Sequence, residues 1–156
     1  MKTYGQFCPV AQAMEVLAER WTLLVVRELL CGSTRFNEIL RGVPLMSRTL
    51  LSQRLKTLEA AGVILRSEEG GSPAYLLTEA GEALWPVVEA LGIWGKHWAT
   101  GDLTEEQLDP NLLMWDMQRR IDHGAVRPRE VVVRFDFADP KRALRRYWLR
   151  IKQGDA

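Results

Sequence analysis

The sequence predicts a mainly α fold with a small β wing (α+β): a winged helix-turn-helix followed by a helix and β-hairpin extension. Three observations carry this. The short periodic segment Phe36-Asn37-Glu38-Ile39-Leu40 is followed by a break at Gly42-Val43-Pro44, then by a longer polar-faced helix from Ser47 to Glu59. Two strand-like runs, Val63 to Arg66 and Ala74 to Leu77, flank the turn-rich stretch Glu68-Glu69-Gly70-Gly71-Ser72-Pro73. Residues 33–66 carry six basic side chains against two acidic ones, in a chain of 156 residues whose net charge is only +1. A local basic patch is what a phosphate backbone responds to, and whole-chain charge misses it. Helix, turn, helix, strand, wing is the order that can lay a second helix in a DNA major groove.

Each element has a local cause. Pro9 suits a first helical turn, and Val10, Ala13, Met14 and Leu17 follow at a period near that of a helix. Trp21, Leu24, Val25, Glu28 and Leu29 continue in a second helix, which Gly32 ends. Phe36, Ile39 and Leu40 mark the third. Ser47 is an N-cap for the fourth, which Gly62 stops. Thr78 caps a long helix through Trp98, with Glu79 and Glu82 well placed for its N-terminal dipole, and Pro86 is expected to kink or divide it. After Thr100-Gly101-Asp102 the character changes. Asp109 to Ile121 predicts an amphipathic helix and Val131 to Phe137 a strand; Asp139-Pro140 breaks the strand, and Arg146 to Lys152 is its candidate partner.

Composition limits the function classes. No apolar run reaches the length of a membrane span, and the N-terminus lacks the basic, apolar and small-residue zones of a signal sequence. Cys8 and Cys31 make neither a disulfide framework nor a metal-ligand spacing, so a reducing cytoplasm is the expected compartment and no metal or cofactor is expected. His97 and His123 stand in no nucleophile or metal motif, no glycine-rich phosphate loop is present, and an enzyme is not expected.

The fourth helix carries the candidate interface. With Arg48 at zero on a helical wheel, Arg48, Ser52, Lys56, Thr49 and Gln53 fall within an arc of about 140°. Leu51, Leu55 and Leu58 gather on the opposite side. Arg48 and Gln53 are the candidates for base edges and Lys56 for a phosphate, with Arg35, Ser47, Thr49 and Ser52 beside them. Arg54 lies next to the leucine stripe, where pairing inside the protein, with Glu38 as a partner, competes with an outward role. On the wing, Arg66, Ser67 and Ser72 can touch phosphates or a minor groove, whereas Glu68 and Glu69 would repel them. A solvated amphipathic face in a helical bundle is the plainer explanation of the charge pattern alone.

The chain resembles the HxlR family of bacterial winged-helix regulators, relatives of the MarR group. The matching residues are Cys8-Pro9-Val10, Arg20-Trp21-Thr22-Leu23-Leu24, Arg27-Glu28-Leu29, Arg35-Phe36-Asn37-Glu38, Leu51-Ser52-Gln53-Arg54-Leu55-Lys56, Leu58-Glu59, Gly62-Val63 and Tyr75-Leu76-Leu77-Thr78. They span about residues 7–98. The resemblance implies a homodimer on double-stranded DNA, an operator of two half-sites and control of nearby genes, with repression expected. It implies that the N-terminal segment and the helix after the wing form the dimer interface. Leu84, Val87, Val88, Leu91 and Trp94 fit that role, and core packing explains them equally well. Some family members sense electrophiles or oxidants through the cysteine at the position of Cys8. That residue stands just before a predicted helix, where the N-terminal dipole favours negative charge; inert packing is the plainer role for it, as for Cys31.

Residues 1–100 are accordingly expected to form the DNA-binding and dimerisation domain and 101–156 a C-terminal extension. The extension resembles the opening of a sterol-carrier-like domain, present in part. Trp115, Phe135, Phe137 and Trp148 are expected to form a plain hydrophobic core there, or else to line an apolar pocket for a small-molecule effector. A winged-helix protein–protein interaction module without specific DNA binding is the alternative to the regulator.

Overall fold

The computed structural model describes residues 3–68, 71–99, 101, 108–122, 130–139 and 142–152. The chain divides into two compact units, Met1–Asp102 and Leu103–Ala156.

In the first unit α1 spans Pro9–Leu17 with proline in its first turn, and α2 spans Thr22–Leu30. Trp21, expected inside α2, lies just before it in a left-handed conformation (φ 78°) and marks the corner between the two helices. Gly32, with φ 92°, follows α2 where a side chain would be strained. Helices α3 (Phe36–Gly42) and α4 (Arg48–Ala60) make the helix-turn-helix. The Ser47 hydroxyl accepts the Leu50 N–H at 3.2 Å, the cap expected of it.

Strand β1 covers Ile64–Ser67, one residue later than its sequence pattern suggested. Val63 is occupied elsewhere: its N–H closes the end of α4 on the Leu58 carbonyl, and its own carbonyl accepts from Thr78. Strand β2 covers Ala74–Leu77 and pairs antiparallel with β1, Ile64 facing Leu77 and Ser67 facing Ala74. The expected long helix is divided near Pro86, as anticipated, into α5 (Glu79–Glu82) and α6 (Trp85–Trp94), and a π-helical turn follows at Gly95–Ala99. The Thr78 hydroxyl accepts the Gly81 N–H and so caps α5.

One apolar core joins these pieces: Val25, Val26 and Leu29 of α2, Ile39 and Val43 around α3, Leu51, Leu55 and Leu58 of α4, and Val63 and Ile64 entering the wing. Each fully buried leucine or isoleucine contributes about 2 kcal/mol, so the leucine stripe fixes which way α4 faces. Of the periodic residues in α1, only Leu17 is buried.

In the second unit Asp109 caps α7 (Pro110–Arg119) by accepting the Asn111 N–H at 2.9 Å. Strands β3 (Glu130–Asp139) and β4 (Arg142–Lys152) form an antiparallel hairpin with Val131 opposite Ile151 and Phe135 opposite Tyr147. Met114, Leu149 and Ile151 form its small core, against which Phe135 and Phe137 pack. Trp148 departs from expectation. It is on the opposite face of the hairpin, 64% exposed, with Arg134 stacked 5.8 Å from its ring. The alternation of side chains along a strand puts it there, because its neighbours Tyr147 and Leu149 face α7.

Candidate nucleic-acid interface

The leucine stripe buries one side of α4 and leaves the other to solvent. Arg48, Thr49, Gln53 and Lys56 are exposed together with the cap Ser47, and Ser52 is half-buried. The structure therefore gathers on one surface the polar arc expected of this helix. The side chains of Gln53 and Lys56 take no hydrogen bond or ion pair among the described residues, so their donors face solvent.

The arginines are placed more specifically. Arg48 donates from Nη2 to Asn37 Oδ1 at 3.1 Å, and its guanidinium carbon stands 5.0 Å from the centroid of the Phe36 ring. The first residue of α4 is thereby fastened to the first turn of α3. Arg35 ties the wing to the same place: its guanidinium donates to the Ser72 carbonyl. Its backbone forms an antiparallel bridge with Ala74, and the Tyr75 N–H donates to the Thr34 carbonyl at 2.8 Å. Ser72 thus meets Arg35 through its backbone, while its side chain remains at the surface. Arg66 is paired with Glu68 at 3.2 Å on the exposed wing. Residues 69–70, including Glu69 of the expected acidic tip, lie outside the described residues.

Arg54 corrects the sequence expectation. It pairs inside the protein, but with Glu19 at 2.6 Å and with the Arg20 carbonyl at 3.1 Å, not with Glu38. Glu38 instead turns back on its own helix and accepts the Thr34 and Arg35 N–H groups, each at 3.0 Å. A carboxylate three residues into a helix satisfies donors left open at its start, and that local demand wins over a distant guanidinium. The Arg48–Asn37 contact was not anticipated. It crosses from α4 to α3, and no local spacing announces it.

A second surface of the unit is apolar. No residue of α6 is buried. Val87, Leu91, Ile93 and Trp94 are exposed along it, as are Trp85 and Trp98 at its ends, Trp98 at 78%. Leu84 and Val88 pack partly against the core. At the N-terminus Tyr4, Phe7 and Val10 are exposed, Phe7 at 95%. Cys8, half-buried, immediately precedes α1, and Cys31 follows α2; both are free thiols. Among the described residues no group of three His, Cys, Asp or Glu side chains could hold a metal ion, and no helix is long and apolar enough to cross a membrane.

Helices α3 and α4 joined by a tight turn, a capped reading face and a wing define a winged helix-turn-helix DNA-binding protein. The profile of the HxlR-like helix-turn-helix family matches residues 16–102, and the chain belongs to that family. It is similar to the HTH-type transcriptional regulator YvaP of Bacillus subtilis, 39% identical over 98 residues, covering 60% of this chain and 91% of YvaP. It is also similar to the HTH-type transcriptional regulator YodB of the same organism, 33% identical over 105 residues, covering 64% of this chain and 94% of YodB. YodB has been solved in a reduced form, which matches with a TM-score of 0.53 at 32% identity over 62% of this chain and 100% of that one. Its quinone-bound form matches with a TM-score of 0.51 at 33% identity over 59% and 100% of the two chains. The redox regulator HypR in its oxidised form matches with a TM-score of 0.55 at 30% identity, over 62% of this chain and 100% of HypR. These relatives are transcriptional regulators, and this chain is a DNA-binding transcriptional regulator of the same family.

Proposed function

We propose that the protein acts as a homodimer that represses transcription by occupying an operator of two half-sites. In each protomer Arg48 and Gln53 contact base edges, and Lys56, Ser47, Thr49 and Ser52 contact or orient on the phosphates. Arg35, Arg66 and Ser72 hold or extend the wing along the backbone. The observation that carries the dimer is the bare apolar face of α6, with Tyr4, Phe7 and Val10 exposed as well at the N-terminus. A second copy would cover it, and two-fold symmetry would then set two reading helices about one turn of DNA apart. An effector would work by changing the spacing of those helices. Relatives solved with quinone bound or in oxidised form support an electrophile or an oxidant as the effector, and Cys8, just before α1, is the thiol on which we place its action.

The test is binding of the purified protein to DNA from around its own gene at two salt concentrations, with its mass in solution measured alongside. Tight, salt-sensitive binding of a dimer to one discrete site, weakened by oxidant in the parent and not in Cys8→Ser, supports each part. One observation favours a second role as a protein–protein module: the wing cation Arg66 is already balanced by Glu68. Binding that prefers no DNA fragment and ignores salt would bring that role forward.

A further inference from the structure

Arg48 is exposed, yet its guanidinium is held from two directions. Asn37 Oδ1 accepts from Nη2 at 3.1 Å, and the Phe36 ring underlies the cation at 5.0 Å. Both holders lie in the first turn of α3, which is itself braced by Glu38 on the Thr34 and Arg35 N–H groups. A guanidinium has five N–H donors in a planar fork. The amide oxygen engages one nitrogen and the ring engages a face. Donors remain for a ligand in the plane of the fork.

We propose, on the footing of the DNA-binding role above, that Arg48 is the specificity-determining residue of the reading helix and that it takes a guanine of the half-site. Asn37 and Phe36 are its positioning residues. The partner chemistry follows from the fork: the O6 and N7 acceptors of guanine form the planar pair that an arginine binds with two parallel hydrogen bonds. An unheld arginine at the first position of a helix would spread over many rotamers and meet whichever phosphate lay nearest. One already hydrogen-bonded and stacked loses less freedom on binding, and its direction is fixed before the DNA arrives. Asn37 need not touch DNA for its loss to blur the base preference. Lys56, without such holders, supplies charge and little direction.

The experiment is selection of preferred sites from a randomised duplex pool by the full-length protein, with thermal unfolding recorded for every variant. The parent should select a half-site with guanine at one position. Arg48→Ala should lose the preference at that position and keep the others, and Arg48→Lys should do the same while keeping most of the affinity. Asn37→Ala should blur the same position, with about a tenfold fall in preference for guanine, no change in the slope of affinity against salt, and a melting temperature close to that of the parent. Phe36→Leu should act in the same direction. If Asn37→Ala leaves the guanine preference at the parental value, the positioning role is wrong. If Arg48→Ala weakens binding equally on all sequences and flattens the salt slope, Arg48 is a phosphate contact and the specificity role is wrong. A parent that selects no site at all would overturn the regulator itself, an outcome separate from both.

Discussion

Glu28, wholly buried on α2, sets its carboxylate against the α-carbon of Gly42 at the end of α3. A Cβ built on Gly42 would fall under 3.0 Å from that carboxylate. Arg27 completes the arrangement: its Nη2 pairs with Glu28 at 2.6 Å and donates to the Gly42 carbonyl at 3.1 Å. The end of α3 is thus clasped to α2 by an ion pair whose carboxylate is buried and whose guanidinium is partly exposed, and a side chain at Gly42 would have to displace that carboxylate.

Gly42→Ala should therefore be costly although alanine favours helix. The buried Glu28 carboxylate has to shift, which strains its pair with the partly exposed Arg27, and a cost of about 1–2 kcal/mol is expected. Thermal unfolding followed by circular dichroism should show a large drop in the melting temperature, with DNA binding lost in parallel. An alanine variant as stable as the parent would show that the carboxylate can be accommodated elsewhere.

Arg54 and Lys56, two residues apart on α4, should separate stability from binding. Arg54→Ala loses the Glu19 pair and the bond to the Arg20 carbonyl that ties α4 to the corner before α2. A destabilisation of about 1 kcal/mol is expected, with the salt slope of DNA affinity unchanged. Lys56→Ala should leave the melting temperature alone and reduce that slope by about 1 per reading helix. Chemical denaturation and salt titrations of the two variants decide it.

The face of α6 should respond to charge. Leu91→Glu or Trp94→Glu removes no buried side chain, since both residues are exposed. The fold should survive, and analytical ultracentrifugation should show dissociation to monomers with loss of two-half-site binding. Variants that stay dimeric would move the interface elsewhere.

The second unit should be acid-labile in a defined direction. At Asp116 burial opposes ionisation, but the hydrogen bond from Arg119 and the charges of Arg120 and Arg119 outweigh it and hold the carboxyl below its usual range. At Glu130 the hydrogen bond from Arg150 does the same. A folded value below the unfolded one stabilises above the unfolded carboxylate range, near pH 4, and that stabilisation is lost as pH falls through the lower folded value. Asp116→Asn and Glu130→Gln should flatten the acid limb of stability against pH and lower the neutral plateau modestly, because the stabilisation they remove is the one present above that range.

Most of the first unit was legible because its elements rest on local rules. Ser47 and Thr78 cap helices, Gly32 and Gly62 take the left-handed conformation that ends them, and the leucines of α4 recur on one face. What escaped were choices among distant partners. Arg54 found Glu19 and not Glu38, and Arg48 found Asn37, because side-chain pairing depends on how helices cross and not on spacing along one of them. Glu28 could have been noticed: an acid inside the apolar stripe of α2 demands a buried partner. In the hairpin of the second unit, strand alternation settled the side taken by Trp148, where composition had suggested core.

The Tyr75 to Thr34 backbone bond and the Arg35 to Ser72 contact have a consequence for the operator proposed above. They fasten the wing to the start of the helix-turn-helix at two points. On the proposed DNA-binding role, a wing fastened in this way leaves more of the mutual fit to the duplex. Half-sites rich in pliant pyrimidine–purine steps then lie against the wing at less elastic cost than stiff adenine tracts bearing the same contacted bases. Part of the message in the operator would be written in how readily it yields, at base pairs that no side chain touches.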